Sequence, residues 1–386
     1  MNNKILHLAM DEKFIDASNW LFEQAFPEEN DLIITVKNPN QSLKHVTLTK
    51  NTRIVSLRYL LKEILPLLPK YDCVILHSLP FQFAQIVLAS PNTCFVWAYF
   101  GFEVYRNQEM GLLEKYGQKT QLLCKTTIQD KIHQHIRNLY YRLKYKLPSS
   151  DNAVRLAAKH IDFFATQIRE EHEMLCNHHI IGETSRWMNF SYYPIEFILE
   201  KICNESIQGE NILVGNSAFH SNNHLEVFDM LRNIFLSADQ QIIVPLSYGD
   251  DHYASQIHKE GSTIFGDKFT PLLNFMPLAE YNQIVQQCGY VIMNHYRQQA
   301  MGNIIISLWL GAKLFLDTRN NIYHFFKRIG ITLFEMKELK KESSLTTPLT
   351  KAQKEKNREI LKQHLSTEQI IQSLQQHLNP RVTISN

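Results

Sequence analysis

Two stretches of the chain carry residues suited to holding a diphosphate. The first, ILVGNSAFHSNNH (Ile212 to His224), opens as a short apolar run and breaks at Gly215 into small polar residues. A glycine lets backbone approach a ligand closely, Asn216 and Ser217 bring hydrogen-bonding side chains, and exposed amides ahead of a helix favour an anion such as phosphate. An ordinary capped strand-to-helix turn uses the same residues, so this stretch alone leaves both readings open. The second is YVIMNHYRQQAMGN (Tyr290 to Asn303), followed by the apolar run IIISLWLGA. Gly302 and Asn303 then stand at a helix N-terminus, Arg297 brings a permanent cation whose fork of donors suits a diphosphate, and Gln298 and Gln299 can read hydroxyls or a base edge. A solvated surface arginine is the plain alternative for Arg297. Tyr248 and Gly249, in PLSYGDDHY, follow a third apolar run. Tyr248 either stacks on a base or ribose or packs as a core tyrosine.

These residues need a scaffold that brings strand ends together. Lys4 to Leu8, Leu32 to Val36, Cys73 to His77, Cys94 to Tyr99 and the shorter Phe163 to Thr166 read as strands, with helical spacing between several of them, as in Ile54 to Leu68. This βαβ rhythm predicts a parallel sheet. It starts afresh at Ile212 to Val214 and continues through Gln241 to Pro245, Tyr290 to Asn294 and Lys313 to Asp317. Leu225 to Phe235, Tyr281 to Cys288 and Asn303 to Leu310 are the intervening helices. Two α/β domains follow, spanning 1–200 and 211–345, with Glu196 to Glu210 as linker, its first half also suiting the end of a helix, and a helical, mostly solvated segment over 350–386. In an open α/β sheet, ligands sit outside the carboxyl ends of the strands, so the Gly215 and Gly302 loops are expected on one sheet edge, facing one crevice.

Composition narrows the class. A chain of 386 residues with 44% hydrophobic and 20% charged residues reads as a soluble protein long enough for two cores. A formal charge of +2 argues against a general nucleic-acid coat, because counterion-driven binding needs a dense basic face. The six cysteines, Cys73, Cys94, Cys124, Cys176, Cys203 and Cys288, show no paired spacing for a disulfide ladder or zinc knuckle, which suits a reducing cytoplasm. The N-terminus turns charged at Asp11 before any signal-like stretch develops, and no apolar run approaches the roughly 18 residues that span a bilayer.

From Asn211 to Phe334 the chain resembles glycosyltransferase family 56, the bacterial TDP-N-acetylfucosamine:lipid II N-acetylfucosaminyltransferases. The resemblance is carried by ILVGNSAFHSNNHLEVFDML, IIVPLSYGDDHY, AEYNQIVQQCGYVIMNHYRQQAMGNIIISLWLGAKLFLD and RNNIYHFF, and continues through ILHSLPF, VWAYFGFEVY and FFATQ in the first half. It implies a GT-B architecture, two Rossmann-like domains facing across a cleft with the sugar nucleotide mainly on the second. It also implies transfer of 4-acetamido-4,6-dideoxygalactose from dTDP to an undecaprenyl-diphosphate-linked disaccharide in enterobacterial common antigen synthesis, peripherally at the cytoplasmic face of the bacterial inner membrane. Where the family commonly shows Gly-x-Asp, this chain has Gly101-Phe102-Glu103, which keeps a carboxylate but lengthens it.

Glycosyl transfer needs stabilisation of the departing diphosphate, and a base for the acceptor hydroxyl if the anomeric centre inverts. No Asp-x-Asp motif occurs, and Asp250-Asp251 is adjacent rather than alternate. Arg297 and helix N-termini are therefore expected to bear the phosphate charge without a metal cofactor. Glu103 and His77, both at predicted strand ends of the first sheet, are the candidates for acceptor-side chemistry, Glu103 as the preferred base. Each has a plain alternative: an exposed helix-starting carboxylate for Glu103 and a hydrogen-bonded scaffold histidine for His77.

A lipid-linked acceptor calls for contact with a membrane. Lys119, Lys125, Lys131, Arg137, Arg142, Lys144 and Lys146 face only Asp130 among acids, interleaved with Ile132, Ile136, Leu139, Tyr140, Tyr141, Leu143 and Tyr145. A basic amphipathic helix of this kind either lies on an anionic leaflet or packs its apolar side on the first domain's core. Three function classes follow: a membrane-peripheral glycosyltransferase using a dTDP- or UDP-linked amino sugar, a nucleotide- or glycan-binding protein of the same fold without turnover, and a nucleic-acid-binding protein exploiting Lys119 to Lys146. The phosphate-type loops and the family stretches lie together in the second half, which favours the first.

Overall fold

The strands legible in the sequence assemble into two parallel sheets. The computed structural model describes residues 4–379 apart from 39, 113–115, 125–127, 235 and 342, and the backbone alone at 128–130. Lys125, the side chain of Asp130 and Phe235 thus lie outside the described residues. The chain divides into two compact units, Met1–Leu112 with Thr127–Pro194 and Leu365–Asn386, and Leu113–Thr126 with Ile195–His364.

In the first unit, β1 (Ile5–Met10), β2 (Asn30–Val36), β3 (Thr52–Ser56), β4 (Cys73–His77), β5 (Phe95–Ala98), β6 (Phe163–Ala165) and β7 (Arg186–Met188) stand in the order 3-2-1-4-5-6-7. All neighbours are parallel. Side chains alternate between two buried faces. Leu6, Leu8, Val74, Leu76 and Trp97 enter one core, while Ile5, Ala9, Ile75, Val96 and Ala98 enter the other. A sheet covered on both faces reads as unbroken apolar runs, which is why the central strands were legible. Each large apolar side chain so buried contributes about 1.5–3 kcal/mol.

The second unit repeats the plan with β8 (Ile212–Val214), β9 (Ile242–Pro245), β10 (Phe269–Leu272), β11 (Tyr290–Met293), β12 (Lys313–Leu316) and β13 (Phe334–Glu335), ordered 10-9-8-11-12-13. Both sheets therefore reverse direction of growth between their first and fourth strands, at β1/β4 and at β8/β11. In open α/β sheets such switch points are where ligands bind, outside the carboxyl ends of the strands.

Two expectations need correction. Ile54 to Leu68 is not one helix: Ile54 and Val55 lie in β3, and only Leu60–Ile64 is α-helical. Val55 is buried while Ile54 is half-covered, and lateral pairing with β2 overrides the helical spacing. The segment over 350–386 is not a separate, solvated piece. The helix Lys351–Leu365 lies in the second unit up to His364, with Leu361 buried. The helix Thr367–Leu378 belongs to the first unit, burying Ile370, Leu374 and Leu378, and Gln375 Nε2 donates to the Ala25 carbonyl at 3.1 Å. The stretch read as a linker has a helix, Ile195–Leu199, in its first half, just past the division between the units at Pro194, and buries Ile202.

Candidate functional site

In the second unit the Gly215 loop leaves β8 and the Arg297 loop leaves its neighbour β11, one on each side of the switch point. Gly215 has φ +69°, and a Cβ there would lie 2.6 Å from Asn222 Oδ1 and 2.8 Å from His224 Nε2, so both backbone and space demand glycine. The β9 loop is laced to the β8 loop: Ala218 N donates to the Tyr248 carbonyl at 2.8 Å and Asp250 N to the Ala218 carbonyl at 3.0 Å. Asp250 caps the helix Asp251–Phe265 by accepting from Tyr253 N at 2.7 Å, which occupies one of the two adjacent acids structurally.

The Arg297 loop ends in a feature with direct bearing on anions. The helix Met301–Leu310 is buried from Ile304 onward and closed by left-handed Gly311, yet among the described residues no side chain caps its N-terminus. The residue before it, Ala300, holds φ +60°, a conformation costing a non-glycine residue roughly 1–2 kcal/mol. A Cβ at Gly302 would meet nothing within 4 Å. The first amides of this helix have no partner inside the helix, and its dipole favours negative charge. Arg297, four residues before the helix, is half-buried, and its Nη1 donates to the Gln298 carbonyl at 3.3 Å. Gln298 Oε1 is buried without a partner among the described residues. Asn303 is half-buried in the first turn of the same helix, and its carbonyl accepts from Ser307 Oγ at 2.7 Å.

The structure divides the expected donor residues into two groups. Arg297, Gln298, Gly302, Asn303 and Tyr248 keep surface; Tyr248 is 53% exposed and is no core tyrosine. Ser217 is fully buried and Asn216 nearly so, and their side chains are occupied inside the protein. Asn216 Nδ2 donates to the Tyr248 hydroxyl at 3.0 Å, its Oδ1 accepts from Gln299 Nε2 at 3.1 Å, and Ser217 Oγ accepts from Asn222 Nδ2 at 3.1 Å. Through these bonds the two side chains tie the β8 loop to itself and to the loops after β9 and β11. One further cation escaped the sequence reading. Arg319, in the loop after β12, is clamped to both oxygens of Asp317 at 2.8 Å and lies 3.4 Å over the Tyr296 ring. Its signal, an Asp two residues before an Arg at a strand end, is common in ordinary turns.

In the first unit, Gly101 (φ +101°) opens the short helix Phe102–Tyr105, and Glu103 is buried. Its Oε1 accepts from Trp97 Nε1 at 3.0 Å and from Phe100 N at 3.1 Å, while Oε2 is buried without a partner among the described residues. Burial pushes the carboxyl up to about 7, against the opposing pull of those hydrogen bonds. The exposed helix-starting carboxylate is thereby excluded, and a group with this value can exchange a proton near neutrality. Ser78, left-handed at φ +74° just after β4, also buries an unpartnered hydroxyl.

His77 is placed differently from the catalytic expectation. Both ring nitrogens are occupied, Nε2 by His7 Nδ1 at 3.1 Å and Nδ1 by the Tyr192 hydroxyl at 3.1 Å. His7 continues to Asn30 Oδ1 at 3.2 Å. Burial holds His77 well below the usual imidazole range, and His7 at about 4. The pair is a neutral scaffold.

The basic stretch is not continuous. Lys119 sits in the second unit, paired with Asp229 at 2.7 Å. The helix proper runs Ile128–Tyr145, carrying exposed Lys131, Arg137, Arg142 and Lys144, with exposed Lys146 just beyond. Ile132, Ile136, Leu139 and Leu143, spaced to form one stripe, are 53%, 59%, 50% and 77% exposed. The face toward the protein is Tyr141 and Tyr145, whose rings meet Phe81 edge-on at 4.8 and 5.0 Å. The apolar stripe therefore points outward, not into the core. Among the described residues no helix is long and apolar enough to cross a membrane, and no group of three or more His, Cys, Asp or Glu is placed to hold a metal ion.

Two parallel six- and seven-stranded Rossmann-type sheets in one chain define a recognisable class. Sucrose-phosphate synthase from Thermosynechococcus elongatus shares the fold with a TM-score of 0.59 at 10% identity, over 99% of this chain and 100% of that one. Anabaena HepE, solved with UDP and glucose, gives 0.59 at 11% identity over 98% and 100%. A glycosyltransferase from Rickettsia africae gives 0.60 at 12% identity over 100% of both. The fold is thus that of the GT-B glycosyltransferases. Residues 129–371 match the family described as 4-alpha-L-fucosyltransferase glycosyl transferase group 56, to which this chain belongs, and it is a glycosyltransferase.

Proposed function

We propose that the chain moves an N-acetylfucosamine-type deoxy-amino sugar from a dTDP-linked donor to an undecaprenyl-diphosphate-linked oligosaccharide, in the synthesis of a bacterial surface polysaccharide of the enterobacterial common antigen or O-antigen type. The observation that carries this reading is the uncapped helix N-terminus at Met301, preceded by left-handed Ala300 and Arg297, at the switch point of the second sheet. Membership of group 56 supports the sugar class.

The donor diphosphate lies on the amides of Met301 to Asn303 and against the Arg297 guanidinium, with Tyr248 and Gln298 available to the nucleoside. As the acceptor hydroxyl oxygen bonds to the anomeric carbon, the bond from that carbon to the diphosphate oxygen breaks and dTDP leaves with the electron pair. Helix amides and Arg297 stabilise the charge that develops on it. Glu103, deprotonated, accepts the acceptor's proton in an inverting transfer.

Product mass spectrometry tests this. A lipid-diphosphate oligosaccharide incubated with a mixture of dTDP- and UDP-sugars is expected to gain one acetamido-dideoxyhexose residue, drawn from the dTDP donor. Gain from UDP donors alone would move the donor base. No gain, with nucleotide still bound, would make the chain a binding protein.

The helix Ile128–Tyr145 supports work at the cytoplasmic face of the inner membrane. Its outward stripe of Ile132, Ile136, Leu139 and Leu143, accompanied by Arg137, Arg142, Lys144 and Lys146, has the chemistry of a segment lying on an anionic leaflet. Replacing Arg142, Lys144 and Lys146 together by alanine is expected to weaken co-sedimentation with anionic vesicles at low salt by about tenfold or more. Unchanged association would move the membrane contact elsewhere.

A further inference from the structure

Six residues beyond Gly215 the chain carries Ser221-Asn222-Asn223-His224, all buried, Asn222, Asn223 and His224 completely so. Burying polar side chains is unfavourable unless each finds partners. Asn222 finds four. Its Oδ1 accepts from Asn216 N at 2.9 Å and faces His295 Nε2 at 2.8 Å, while its Nδ2 donates to Ser217 Oγ at 3.1 Å and to the Phe219 carbonyl at 3.0 Å. An amide oxygen only accepts, so His295 carries its proton on Nε2 and donates it. Three of these bonds fold the β8 loop on itself, and the one to His295 reaches the loop after β11.

Other ties run the same way. Asn223, left-handed at φ +51°, donates from Nδ2 to the Asn294 carbonyl at 2.9 Å. Gln299 bridges from the far end of the β11 loop, accepting from Ser221 Oγ at 2.6 Å and donating to Asn216 Oδ1. Along its length, then, the segment Asn294 to Gln299 is pinned to the β8 loop, and Arg297 lies within the pinned stretch. Asn222 is also the atom group that forbids a side chain at Gly215.

We infer that Asn222 and His295 are positioning residues for the diphosphate half of the donor site: the bond between them sets the separation of the two loops that flank the switch point and so fixes Arg297 and the Met301 helix N-terminus against the phosphates. This inference rests on the donor reading given above. Neither side chain touches the ligand. Their effect falls on the diphosphate and spares the nucleoside, because the pinned segment is the one that bears the phosphate-binding groups.

The test compares dTDP with dTMP by titration calorimetry on the full chain. In the parent, dTDP is expected to bind more tightly than dTMP, the difference reporting the phosphate nearest the sugar. His295→Ala and Asn222→Ala are expected to shrink that preference by about tenfold, in line with loss of a buried hydrogen bond that aligns a charged contact, with dTMP affinity little changed. His295→Gln, which keeps a donor for Asn222 Oδ1, is expected to restore most of it. If Asn222→Ala does not fold, the His295 pair decides alone, and circular dichroism certifies each protein used. Equal weakening of dTDP and dTMP, or an undiminished preference in folded His295→Ala, overturns the inference. A parent that shows no preference for dTDP instead sinks the donor reading itself.

Discussion

Arg297→Ala is expected to lower glycosyl transfer by about 10²–10³-fold while the unfolding midpoint stays within a few degrees of the parent. The magnitude follows from what the residue faces. A departing diphosphate gains charge as the glycosidic bond breaks, and a guanidinium already held in place stabilises it without the reorganisation that bulk solvent needs. The fold loses little, since Arg297 is half-buried on a loop and the loop is held by Asn294, His295 and Gln299. Arg297→Lys keeps the charge without the two-pronged geometry and is expected to fall between the two. Near-normal transfer by the alanine variant would remove Arg297 from the donor site.

Glu103→Gln is expected to lower turnover by about 10²–10⁴-fold with donor affinity almost unchanged. Equal loss of both would argue against a role as base. Burial raises the carboxyl from an ordinary 4.5 to about 7, so the parent's turnover should fall as pH drops through about 7 and the base becomes protonated. The residual activity of the variant should lack that limb. The sign on stability is opposite. A carboxyl whose folded value lies above its unfolded one favours the native state below about 4.5, and that contribution disappears as pH rises toward 7. At pH 8 the parent must hold a buried carboxylate, so the glutamine variant should be the more stable and the less active of the two. Loss of both properties at pH 8 would place Glu103 among structural residues.

What the sequence made legible, and what it did not, divides along physical lines. β1, β4, β8 and β11 were readable because strands buried on both faces run nearly unbroken in apolar residues, His7 and His77 being the polar exceptions. β3 was misread because its pairing partner, not its own pattern, decides it, and β7 and β13 have only three and two residues in which to show one. Gly215 was legible as a turn glycine that lets backbone approach a ligand, not as a position demanding glycine. The reason for that demand, Asn222 and His224 crowding its Cα, depends on a fold-back that no local pattern encodes. For the same reason the partners of the Asn216 and Ser217 side chains, Tyr248, Gln299 and Asn222, could not be read from the local pattern. Periodicity revealed a stripe on Ile128–Tyr145 but carries no information about which way the stripe points. Lys119 read as part of that basic run until its pairing with Asp229, 110 residues away, assigned it to the other unit.

The central claim is that the second sheet's switch point is a nucleoside-diphosphate site built on the Met301 helix N-terminus and Arg297. Titration calorimetry of dTDP into the parent and into Arg297→Ala measures it most directly. One dTDP per chain, with affinity falling at least tenfold on loss of the guanidinium and weakening as salt rises, is the result this account predicts. Equal affinity in the two proteins, or no dTDP binding by the parent, would contradict it.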